Sequence, residues 1–78
     1  MSNLSDNFNP QPKPEQLKEA ALLIFRYQMT SVGFICRHLG VNRSVGIGIM
    51  KLLEDKGIVG PFEGTHRKIL STNLDLLN

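Results

Sequence analysis

Cysteine is almost missing from this 78-residue chain: Cys36 stands alone, so no intrachain disulfide can form. A single thiol with no secretory signal fits a reducing interior, and a cytoplasmic location is expected. No apolar run approaches the roughly 20 residues of a membrane span, and the polar N-terminus lacks the apolar stretch of a signal peptide. No membrane contact by this segment is expected. A Gly-rich phosphate loop ending in Lys-Ser/Thr is also absent, so the chain is not expected to be a nucleotide-driven motor by itself. Cys36, His38 and His66 lack the paired spacing of a structural zinc site. No nucleophile, base and orienting group form a readable set, and so small a domain has little room for a deep cleft. No metal, cofactor or catalytic residue is expected, and the chain is read as a non-enzyme.

Acid is missing where base is present. From Ala20 to Leu53 there is no Asp or Glu, yet Arg26, Arg37, Arg43 and Lys51 lie there, with His38. From Gly64 to Leu74 there is again no acid, while His66, Arg67 and Lys68 adjoin. The net charge is only +2. Segregation of this kind makes a positive face on a nearly neutral domain; ordinary solvated charge is the alternative.

The length allows one small domain with a marginal core. Residues 1–13, rich in Asn, Ser and Pro, read as a disordered leader or linker. Residues 14–71 read as the domain and 72–78 as a C-terminal tail, frayed or docked. Pro14 suits a first helical turn, with Glu15 and Glu19 at its positive end. Leu17, Ala20, Ala21, Ile24 and Tyr27 or Gln28 follow at helical spacing. Ser31 is a plausible N-cap for a second helix, Val32 to Leu39, which Gly40 ends in the left-handed region. Asn42 or Ser44 caps a third helix that runs to about Lys56, where Gly57 stops it. "IVG" and "KIL", joined by "PFEGTHR", read as a short hairpin with Pro61 and Gly64 in the turn. A short strand near Met29 to Ser31 is a possible third member. The expected fold is α+β: a small winged helix-turn-helix, three helices with a short β-hairpin wing.

"EDKGIVGPFEGTHRKIL" and "SVGFICRHLGV" carry a resemblance. From about Leu17 to Leu70 the chain resembles the gamma domain at the C-terminus of the bacterial DNA translocases FtsK and SpoIIIE. That resemblance implies a winged domain that binds a short G-rich duplex motif and orients the motor in chromosome segregation. It also implies contact with a larger translocase or a site-specific recombinase. In the family, the third helix carries an Asn-Arg pair and a second Arg three residues on, reaching into the major groove. Aligned without gaps back from Gly57, those positions fall on Ser44, Val45 and Gly48, which do not preserve that chemistry. Asn42-Arg43 has the right residue types but lies two places early. The gap-free alignment puts Val45 and Gly48 on the outward face of the third helix.

Arg reads guanine because its planar fork meets O6 and N7 together; Val and Gly cannot do this. Two glycines inside a helix also cost about 1 kcal/mol each relative to Ala. Close internal packing is the first reading of Gly46. For Gly48, an external surface or simple loss of selection is an equal alternative. The expected DNA-binding residues are Arg37, Asn42, Arg43, Ser44, Lys51, Arg67 and Lys68, mostly through phosphate. The expected function is non-catalytic binding of double-stranded DNA with weakened or altered specificity. The alternative is a protein-interaction domain that docks a partner, or a second copy, through its third helix; exposed Val45 and Ile47 favour it and their burial favours DNA.

Overall fold

The computed structural model describes residues 12–64 and 66–77. It consists of α1 (Pro14–Tyr27), α2 (Val32–Leu39), α3 (Arg43–Asp55) and a terminal 3-10 turn, Leu74–Leu77. Apart from Pro12 and Lys13, the leader lies outside the described residues.

Helix α1 starts where Lys13 holds an extended backbone before Pro14, which disfavours helical geometry at the residue preceding it. The Lys13 N–H donates to Gln16 Oε1 at 2.9 Å. At its other end Gln28 takes a left-handed conformation, φ +57°, and its side-chain amide donates to the Phe25 carbonyl. Leu17, Ala20, Ala21 and Ile24 form the buried stripe, as their spacing predicts. Ala20 and Ala21 are fully buried, and their small side chains let neighbouring elements approach closely.

The three helices pack on one another, and the 3-10 turn packs on α1. Ile24, Ile35, Ile49, Met50, Leu53, Ile58 and Val59 are the largest fully buried side chains. Each contributes about 1.5–3 kcal/mol, a large fraction of what a domain this size has in hand. Leu77 is buried and Leu74 half-buried against the same core, so the C-terminal segment is docked as far as Leu77.

The α+β expectation is corrected. Among the described residues there are three helices and a 3-10 turn but no strand, so the fold is all-α. The two segments expected as wing strands meet in one isolated antiparallel bridge, Val59 with Ile69. The reason lies in where the flanking backbone groups go. Gly60 N–H donates to the Lys68 carbonyl, and Leu70 N–H donates to the Ile58 carbonyl, both at 2.8 Å. The reciprocal groups are engaged elsewhere. Ile58 N–H donates to the Leu53 carbonyl at the end of α3, at 2.9 Å. The Gly60 carbonyl accepts from Arg67 Nη1 at 3.0 Å. Met29 to Ser31 adds no strand either. Thr30 serves with its side chain instead: Oγ1 accepts from Arg67 N–H at 3.0 Å and donates to the Arg67 carbonyl at 3.1 Å.

Candidate nucleic-acid interface

The unit from Ser31 to Asp55 is a helix-turn-helix built from short-range bonds. Ser31 Oγ accepts from Phe34 N–H at 3.2 Å and caps α2. Gly40 ends α2 with φ +67°, where a side chain would be strained, and its N–H returns to the Cys36 carbonyl at 2.9 Å. Asn42 Oδ1 then accepts from Val45 N–H at 3.0 Å, so Asn42 rather than Ser44 caps α3. The Cys36 thiol donates to the Asn42 carbonyl at 3.4 Å and ties α2 to the turn.

The two glycines of α3 have different neighbours. A Cβ on Gly46 would collide with Cys36 Sγ and lie 3.2 Å from Val32 Cγ1. Gly46 is therefore the point of closest approach between α2 and α3. A Cβ on Gly48 would meet the ring of Pro12, 3.3 Å from Cγ and 3.6 Å from Cδ. Pro12 belongs to the segment leading into α1, and nothing in the sequence around Gly48 signals that contact.

Val45, Gly46, Ile49, Met50 and Leu53 form the inward face of α3. Arg43, Ser44, Ile47 and Lys51 are exposed, and Gly48 is half-buried. Ser44, Gly48 and Lys51 follow one another at the three- and four-residue spacing that places side chains on one face. The expectation that Val45 faces outward with Gly48 is corrected, since Val45 is only 9% exposed and belongs to the core. Of the three family contact positions given by the gap-free alignment, Ser44 alone is open to solvent.

The seven expected DNA-binding residues divide into three kinds. Arg37, Arg43, Lys51 and Lys68 are exposed, and among the described residues none of the four enters an ion pair. Ser44 is exposed in the first turn of α3, and no acid stands in the first turn of α2 or α3. Asn42 and Arg67 are engaged internally. The Asn42 carboxamide oxygen is the α3 cap. The Arg67 side chain is 12% exposed and pairs with Glu54 Oε1 at 2.7 Å while also reaching the Gly60 carbonyl. Arg67 thereby fixes the Ile58–Leu70 excursion to the end of α3. His38 packs on Phe34, ring centroids 4.3 Å apart, with Nδ1 3.1 Å from the Phe34 carbonyl oxygen. Its ring is part of the α1–α2 contact, where Tyr27 joins both rings.

Sequence reasoning missed two arrangements. One is Pro12 on Gly48. The other is the Glu54–Arg67–Thr30 network, in which Thr30 and Arg67 lie 37 residues apart. Part of the latter had a signal: the acidic helix end and the Arg before the final segment both stand in the stretch that carries the resemblance. Among the described residues no cluster of metal-binding side chains occurs, and no helix is long and apolar enough to cross a membrane.

The chain is 40% identical over 57 residues to the DNA translocase FtsK of Streptococcus pyogenes serotype M1, and equally to that of serotype M3. The match covers 72% of this chain but 7% of the translocase, so the chain corresponds to a small part of those proteins. No protein-family model matches, and no solved structure does.

Proposed function

We propose that this chain is a non-catalytic double-stranded DNA-binding helix-turn-helix domain of the kind found as the gamma domain of FtsK-type translocases. The observation that carries this reading is the outward face of α3. It presents Arg43, Ser44 and Lys51 to solvent, and the chain carries no acid from Ala20 to Leu53. The similarity to DNA translocases supports it.

In this reading α3 lies in the major groove. Arg43 and Lys51 neutralise phosphates, Ser44 donates to a phosphate or base edge, and Arg37 and Lys68 reach the flanking backbone. Asn42 and Arg67 act by holding the turn and the excursion in place. With Val45 in the core and Gly48 without a side chain, base readout is weak and phosphate contacts supply most of the affinity. The chain's working context is a translocase or recombinase assembly engaged in chromosome segregation.

One observation favours a second reading, in which α3 docks a protein: Ile47 is 38% exposed on the same face. Val45, the other residue that would have favoured docking, is buried. Titration of the labelled chain with a short duplex separates the two. The DNA reading expects amide shifts at Arg37, Arg43, Ser44, Lys51 and Lys68, with the exposed side of α1 around Lys18 and Leu22 unmoved. No shift at low salt would favour docking through Ile47.

A further inference from the structure

Pro12 and Gly48 form a contact that the DNA-binding reading leaves unused. Gly48 stands between Ser44 and Lys51 on the face of α3 assigned to DNA, and the Pro12 ring lies against it, 3.3 Å from where a Cβ would stand. The ring is held from the α1 side. Lys13 N–H donates to Gln16 Oε1, and the Lys13 carbonyl accepts from Gln16 N–H at 2.9 Å and Leu17 N–H at 3.2 Å. Pro14 further restricts Lys13 to extended backbone. The residue before Lys13 is thus carried onto α3 by the start of α1. A glycine at position 48 leaves room for it, whereas a Cβ would press on the ring.

We propose that Pro12 is an intramolecular cover on the DNA-facing side of α3, seated on Gly48 and displaced when duplex binds. This rests on the DNA-binding reading above. A groove wall approaching Ser44 and Lys51 must also approach Gly48, so ring and duplex compete for one surface. Part of the intrinsic affinity is then spent on lifting the ring, and the free domain binds more weakly than its charges allow. The cover sets the threshold for duplex binding without touching the cationic residues.

The test compares the full chain with its Pro12→Gly and Gly48→Ala variants, each checked for folding by circular dichroism. Fluorescence anisotropy follows binding to one mixed-sequence duplex at one low salt concentration. The Pro12–Gly48 nuclear Overhauser contact is followed in the free protein and at saturating duplex. Pro12→Gly is expected to bind about three- to fivefold tighter, the effect of uncovering roughly one buried methylene. Gly48→Ala is expected to move the same way by loosening the seat, and the Overhauser contact to vanish in the complex. If the parent chain binds duplex but Pro12→Gly binds equally or less well, or the contact persists in the complex, the cover is refuted and the DNA reading stands. If neither chain binds at low salt, both fall.

Discussion

The α2–turn–α3 unit and the excursion from Ile58 to Leu70 are held by different kinds of bond. In the first, the fixing hydrogen bonds join residues close in sequence: Ser31 to Phe34, Gly40 to Cys36, Asn42 to Val45, Cys36 to Asn42. In the second, side chains from distant elements take over backbone groups that a sheet would have used. Thr30 satisfies both the N–H and the carbonyl of Arg67, and Arg67 takes the Gly60 carbonyl while pairing with Glu54. An antiparallel ladder is stable because neighbouring strands exchange both bonds of each paired position. Here the two positions beside the Val59–Ile69 bridge exchange one each, and the segment stays a loop anchored by buried Ile58 and Val59. Helix α3 is thus preset locally, while the excursion also depends on a side-chain network that spans 37 residues.

The sharpest break in this contrast is Gly46→Val. It drives a branched side chain into Cys36 and Val32 at the α2–α3 crossing, and is expected to cost about 3 kcal/mol through overpacking. Urea unfolding measures it, and a loss of a few tenths would mean that the helices do not approach at Gly46. Next is Arg67→Met, which leaves the Gly60 carbonyl and Glu54 without their partner. It should cost about 1–3 kcal/mol. Faster amide exchange is expected at Gly60 and Leu70, with little change through α2 and α3; equal acceleration throughout would erase the distinction between the regions. Asn42→Ala removes the α3 cap and should cost about 1 kcal/mol of global stability, read as a lower denaturation midpoint with an unchanged slope. Smallest is Thr30→Val, nearly the same shape without the hydroxyl. It is expected to cost about 0.5–1 kcal/mol, again confined to exchange around Arg67 and Lys68.

The same contrast explains what could be read from the sequence. Ser31, Gly40, Asn42 and Gly57 are local punctuation, and the starts and ends of α2 and α3 follow from them to within a residue. Helix α1 follows from Pro14 and its apolar spacing. "IVG" and "KIL" predict wing strands because their composition is strand-like around turn residues. Composition does not say whether the backbone will pair: the Leu53 carbonyl takes the Ile58 N–H and Arg67 Nη1 takes the Gly60 carbonyl. Within the candidate interface, Arg37, Arg43, Ser44, Lys51 and Lys68 are where a surface reading puts them. Arg67 was legible as a cation but not as a half-buried, paired one, since its partner Glu54 lies on another element. Val45 was misplaced because counting back from Gly57 without gaps carries no information on which side of α3 faces the core. Gly48 could not be explained from the sequence, since Pro12 reaches it only through the fold.

The exposed cations around α3 are proposed to neutralise duplex phosphates. The most direct test is the salt dependence of duplex affinity for the parent chain and for Arg43→Ala, Lys51→Ala and, as a control on α1, Lys18→Ala. Four phosphates neutralised by Arg37, Arg43, Lys51 and Lys68 give a slope of log K against log salt of roughly −3 to −4. Arg43→Ala and Lys51→Ala should each make it shallower by about 0.9, while Lys18→Ala leaves it unchanged. Binding that ignores salt, or slopes that respond to Lys18 and not to Arg43 and Lys51, would contradict the assignment of α3 to DNA.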